Sequence, residues 1–281
     1  MIGRWLDSLS FLCWLLLVVI LLAILVFLME TTVANGDSYL PIVAHRHRAE
    51  KGLAYANWEL MPDARERLGL DPCAPAYQWS PYYDDCGRIP HLSRVEQLAM
   101  FQRDYVALKG CGGDYLIVGN EPDLSGQQNL TPKQAAGFVL GAMEMCPDMD
   151  IVAPNYSHVA PIDEQLAFIR EYRQRGGDFD RWRGWGLHWY GDTPQKATAY
   201  INAVLTMLDS EGLGSLPLYF TEYGTCNDSN AKAIFEAGLF HPRVDALFGY
   251  APFSTVGECG VFFDENKNIT DVGIGFMNAG N

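Results

Sequence analysis

Basic side chains are scarce in this sequence. Lys and Arg number 20 against 34 Asp and Glu, a net charge of −14 over 281 residues. Such a field repels phosphate and uronate chains, so nucleic acid and anionic polysaccharides are poor candidates as ligands. No two cysteines stand in a Cys-x-x-Cys spacing, which argues against a zinc site. His45-Arg46-His47 is too short and isolated to form a metal site. No glycine-rich phosphate loop follows the first strand-like segment, which counts against a nucleotide-binding doubly wound sheet. Neither a metal nor a cofactor is expected.

Charge is also missing from Phe11 to Met29, where no side chain is charged or strongly polar. A helix of that length can cross a bilayer. It exceeds the apolar core of roughly 7–15 residues that cleaved signal peptides carry. The expected organisation is therefore a short tail (residues 1–10), a transmembrane signal anchor (11–29), a polar stalk (30–50) and one domain (51–281). Thr32-Val33-Ala34 is a passable cleavage site, so secretion after cleavage near Ala34 stays open as the alternative. Arg4 is offset by Asp7, so the positive-inside rule gives little help with orientation. Cysteine usage gives more. Cys13 lies in the apolar run, and Cys73, Cys86, Cys111, Cys146, Cys226 and Cys259 remain. An even number in the soluble part points to disulfides and an extracytoplasmic domain.

From Lys51 onward, strand-like and helix-like segments alternate. Strands are expected at residues 53–58, 74–79, 89–92, 115–118, 151–153, 184–190, 218–223 and 246–253. Helices are expected at 93–108, from Thr131-Pro132 onward, and at 163–175, 194–210 and 231–239. Ser93 with Glu96 forms a capping box, and Pro132 sits at a first helical position. Eight strands with intervening helices predict an α/β fold, a (β/α)8 TIM barrel preceded by a single transmembrane helix. An open sheet would give the same alternation, so closure is not read from the pattern.

The chemistry gathers at strand ends. Tyr115-Leu116-Ile117-Val118 is an uninterrupted apolar run followed by Gly119-Asn120-Glu121-Pro122. It reads as a strand buried on both faces with a carboxylate at its C-terminal end, where barrel enzymes keep their catalytic groups. Glu222 follows Leu218–Thr221 in the same way, three βα units later. Both carboxylates then share one rim. A facing pair is what glycoside hydrolysis needs, one proton donor and one nucleophile or base. His188 and Tyr190 end the neighbouring strand and are placed to hydrogen-bond Glu222. Trp58, Trp79, Trp189, Tyr190, Tyr223 and Tyr250 also fall on strand ends. Each alone is more often core; together at one rim they favour a cleft for flat sugar faces.

One long motif carries a resemblance: Asn120-Glu121-Pro122-Asp123-Leu124-Ser125-Gly126-Gln127-Gln128-Asn129-Leu130-Thr131-Pro132. Shorter ones are Leu187-His188-Trp189-Tyr190, Thr221-Glu222-Tyr223-Gly224 and Asn268-Ile269-Thr270-Asp271-Val272-Gly273. Over roughly residues 51–281 the chain resembles the clan of retaining barrel glycosidases with an Asn-Glu-Pro motif after the fourth strand. Within that clan it is most similar to glycoside hydrolase family 128 and the fungal alkali-sensitive-linkage-type proteins. The resemblance implies Glu121 as acid/base and Glu222 as nucleophile. It also implies Asn120 near a sugar 2-hydroxyl, and β-1,3-glucan as the polysaccharide or oligosaccharide substrate. Tyr250 stands where such barrels often present a Trp. A membrane-tethered, non-catalytic carbohydrate-binding barrel is the alternative, and retention of both carboxylates speaks against it. A monomer is expected.

On a barrel, Cys111 and Cys146 each precede adjacent strands, and Cys226 and Cys259 each follow adjacent strands. Pairs Cys111–Cys146 and Cys226–Cys259 are expected on those grounds, with Cys73–Cys86 closing a short loop.

Overall fold

A computed structural model describes residues 49–54, 61–70, 76–78, 88–92, 115–250, 262–264, 266 and 268–280. All of them belong to one compact unit, His47–Asn281. Trp58, Trp79, Cys73, Cys86, Cys111, Cys259, the expected helix at 93–108 and the Phe11–Met29 run lie outside them. No helix among the described residues is long and apolar enough to cross a membrane.

Eight strands close into a parallel barrel in chain order. They are β1 (Glu50–Ala54), β2 (Ala76–Gln78), β3 (Arg88–Leu92), β4 (Tyr115–Val118), β5 (Asp150–Tyr156), β6 (Trp182–Tyr190), β7 (Leu218–Gly224) and β8 (Val244–Tyr250). The helices are α1 (Met61–Arg67), α2 (Pro132–Met145), α3 (Ile162–Gln174), α4 (Pro194–Ser210), α5 (Ala231–Leu239) and α6 (Asp271–Asn278). The expected α2 and α4 begin with Pro at the first helical position, behind Thr131 and Thr193 caps. Thr131 and Gln134 close a reciprocal capping box. Neither α1 nor α6 was expected from the pattern. α6 carries two glycines in eight residues, and its packing holds it in place. Phe276 stacks on Phe262 at 4.7 Å and meets Phe235 edge-on at 5.1 Å. Lys51 on β1 donates to the carbonyls of Phe276 and Met277 at the end of α6.

Two apolar clusters fix which way each strand residue points. Ala54, Tyr115, Ile117, Val152, Tyr219, Ala246 and Phe248 come from five strands and no helix, so they fill the barrel interior. The larger cluster joins Leu116, Val118, Ile151, Trp185, Leu187, Phe220 and Leu247 to the apolar faces of the helices. Side chains alternate between the two, the period-2 rule of a strand. β4 shows it plainly: Tyr115 and Ile117 face in, and Leu116 and Val118 face out.

Cys146 corrects one expected disulfide. It is a free, fully buried thiol at the C-cap of α2, packed in the outer core as a small apolar side chain. Burial pushes the thiol up to about 11, against the pull of Arg181. The guanidinium of Arg181 caps the turn by donating to the carbonyls of Met143, Cys146 and Met149. The inward pull of the core, not the rim position, decides where this cysteine points. Cys226 is disulfide-bonded, to a partner outside the described residues.

Candidate active site

Glu121 is held by backbone rather than by packing alone. It stands three residues beyond β4 with φ +48, in the left-handed region that costs a non-glycine residue energy. Its amide donates to the carbonyl of Asn155 at 2.9 Å. The preceding Gly119 has φ +95 and no room for a Cβ against the Pro154 carbonyl, so only glycine fits this turn. The Gly119 carbonyl accepts from His91 Nε2 on β3 at 2.8 Å. Gln128 Oε1 accepts the Asn120 amide at 2.9 Å, and Gln127 Oε1 accepts from Asn120 Nδ2 at 3.2 Å. Asn120 Oδ1 is buried and has no partner among the described residues.

Glu222 reaches the same place through a bulge in β7. Leu187 pairs with Phe220 and His188 with Glu222, so Thr221 is an extra residue. Phe220 and Tyr223 both face the helix layer, which leaves Thr221 and Glu222 both turned from it. The Tyr190 hydroxyl donates to Glu222 Oε2. His188 Nδ1 lies 3.1 Å from Glu121 Oε1 and 3.2 Å from Glu222 Oε2. One imidazole thus bridges both carboxylates, where the sequence reading gave it to Glu222 alone. All three side chains are buried.

Burial alone would lower the pKa of His188. The charge of Glu222, the hydrogen bond to Glu121 and the charges of Glu121 and Asp123 outweigh it, and the net shift is upward. His91 goes the other way, down to about 3, because full burial outweighs the pull of the Gly119 carbonyl. His158, just beyond β5, is also lowered, chiefly by burial, against the pull of Glu121. Its ring lies edge-on to Trp189 at 5.7 Å and to Tyr190 at 6.0 Å.

Glu121, His188 and Glu222 offer ligand atoms within 4.8 Å of one another, enough in principle to surround a cation. The Nδ1 atom a metal would need is already shared by the two carboxylates at hydrogen-bond distance. Such an arrangement suits proton traffic between acids.

The expected aromatic rim divides by strand parity. Tyr190 and Tyr250 meet edge-on at 5.4 Å on the inner side, and Tyr250 is half-buried against the interior cluster. Trp189 and Tyr223 do not join them, which corrects their assignment to substrate. Trp189 stacks on Tyr200 of α4 at 5.5 Å. Tyr223 is fully buried and donates its hydroxyl to the Ile234 carbonyl of α5. Neighbours in a strand point to opposite faces, so Tyr190 facing in sends Trp189 out. His91 and His158 fall in none of the sequence motifs, and Gln127 and Gln128 stand in the long motif without a role of their own. Asn155 opens an Asn-Tyr-Ser sequence, and its amide is fully buried, closed to glycosylation in the folded chain.

A closed parallel barrel with two buried carboxylates brought together at the C-terminal ends of β4 and β7 defines a glycoside hydrolase. Residues 72–274 match the model of the glycosyl hydrolase catalytic core, and the chain belongs to that family. No curated protein matches at a significant level. Several solved structures share the fold. One is a family 128 (subgroup III) curdlan-specific exo-β-1,3-glucanase from Blastomyces gilchristii, with TM-score 0.62 and 19% identity over 82% of this chain and 97% of that one. A subgroup II endo-β-1,3-glucanase from Sorangium cellulosum gives 0.63 and 18% over 82% and 98%. A mutant subgroup I endo-β-1,3-glucanase from Amycolatopsis mediterranei, with laminaritriose and laminaribiose bound, gives 0.64 and 18% over 82% and 99%.

Proposed function

We propose that this glycoside hydrolase cleaves β-1,3-glucan with retention of anomeric configuration, using Glu121 as acid/base and Glu222 as nucleophile. The observation that carries the reading is the short gap between the two carboxylates, whose nearest oxygens lie within 4.8 Å. Retaining enzymes hold the pair ~5–5.5 Å apart, whereas inverting ones need ~6.5–9.5 Å to admit a water. Glu222 attacks the anomeric carbon as Glu121 gives its proton to the departing glycosidic oxygen. Water then attacks the glycosyl-enzyme, and Glu121 takes the proton back.

His188 serves both steps. A proton moving along the 3.1 Å bond from Nδ1 to Glu121 turns a charged imidazolium bridge into a protonated acid facing an ionised Glu222. Tyr190 donates to Glu222 and favours its ionised form until it attacks. Asn120 Oδ1, buried and without a partner among the described residues, is a ready acceptor for a sugar hydroxyl. Stacking subsites are assigned to Tyr250 and, outside the described residues, to Trp58 and Trp79.

The linkage rests on the family 128 neighbours, whose members above act on β-1,3-glucans, and on the chain's negative charge, which suits a neutral polymer. Laminarin-type substrates should be hydrolysed faster than xylan or mannan. Turnover confined to β-1,4-linked polymers would remove the linkage and leave the hydrolase. The Phe11–Met29 run anchors the enzyme, with its barrel outside, in the same reading, and Cys226 pairs with Cys259.

A further inference from the structure

β5 and β7 each carry one extra residue beside the same stretch of β6. Between β5 and β6 the pairing runs Pro154 with Gly186, then Tyr156 with Leu187, which leaves Asn155 unpaired in the ladder. Between β6 and β7 the skipped residue is Thr221. The two find each other: the Thr221 hydroxyl donates to Asn155 Oδ1 at 2.9 Å. From the other end of the amide, Asn155 Nδ2 donates to the carbonyls of Val118 at 2.8 Å and Gly119 at 3.1 Å. The backbone carbonyl of Asn155 takes the amide of Glu121. The residue is fully buried and held at φ +60. A side chain from β5 can pass β6 to reach β7 because β6 offers Gly186 there, where any Cβ would overlap the Asn155 amide.

We propose that Asn155 is a positioning residue that sets the gap between Glu121 and Glu222. It joins the end of β4 to β7, two strands separated in the barrel by β5 and β6, through one rigid amide. Glu121 follows the β4 carbonyls it grips, and Glu222 follows the threonine it accepts from. The His188 bridge also spans the gap, but its protons move during the reaction. The bonds of Asn155 involve no reacting atom and stay fixed through both steps. The proposal builds on the reading of these two carboxylates as the catalytic pair. Retention requires that their spacing hold to a fraction of an ångström.

Crystal structures and steady-state kinetics of Asn155→Ala, Thr221→Val and the double variant test it. The carboxylates should move apart in both single variants. On laminarin-type substrate, Asn155→Ala should lose kcat on the order of 10²-fold, with KM within about twofold of the parent. Thr221→Val, which keeps the side-chain shape, should lose less in the same sense. The double variant should be no slower than Asn155→Ala, since both break one bridge. Unchanged carboxylate spacing, or losses that multiply, would overturn the proposal. If Asn155→Ala does not fold, Thr221→Val alone decides by the same spacing and kcat. Should the parent protein cleave no β-glucan, the functional reading fails, and the measured spacing still settles the role of Asn155.

Discussion

Glu121 and Glu222 are both buried, and each answers to a different set of neighbours. Glu121 has a strained backbone, the Asn155 carbonyl and His188; Glu222 has a bulge, Tyr190 and His188. Their roles separate in mutants. Glu222→Gln should abolish turnover on every substrate. Glu121→Gln should spare the first step for a dinitrophenyl glycoside, whose leaving group needs no proton, and added azide should restore turnover. The histidines separate by titration. In an NMR titration His188 should lose its proton above the usual ~6.5 of a histidine, while His91 should stay neutral until about pH 3. The folded-state pKa of His188 lies above its unfolded value. Its bridge therefore stabilises the fold in full below the unfolded pKa, and the contribution fades as pH rises through the folded one. The stability difference between the parent and His188→Gln should shrink across that window in urea titrations. A difference that grows with pH would contradict the charged bridge.

At the scale of elements, α6 closes the structure where β8 meets β1, with Phe276 buried against Phe262 and Phe235. Phe276→Ala should cost about 3–5 kcal/mol in denaturant unfolding, and a loss under 1 kcal/mol would mean that the helix is not integral. α6 was not legible as a helix because its glycines hide the pattern and its stability is tertiary. β4 was legible to the residue, since Tyr115–Val118 is buried on both faces and bounded by Gly119. β5 reads only to Ala153 in sequence because Pro154 breaks the ladder, yet the strand continues to Tyr156. The bulges at Asn155 and Thr221 leave no local signal, since each exists to meet a residue far along the chain. Trp189 and Tyr223 were misread for a simpler reason. Being near a strand end does not fix the face: alternation with Tyr190 turns Trp189 out, and the bulge at Thr221 puts Tyr223 on the same face as Phe220. Cys146 likewise reads as a rim cysteine in sequence and packs as core.

For the whole molecule, the eight-strand alternation and the two carboxylate-bearing strand ends in the sequence correspond to a closed barrel with one buried acidic pair. Membrane fractionation with surface protease treatment should leave the barrel membrane-bound and cleavable from outside. A soluble form starting near Asn35 would mean signal cleavage instead. The central claim is that the short gap between Glu121 and Glu222 enforces double displacement. Proton NMR of the first product released from a laminari-oligosaccharide tests it directly. The account predicts the β-anomer, appearing before mutarotation; the α-anomer as first product would contradict both retention and the nucleophile role of Glu222.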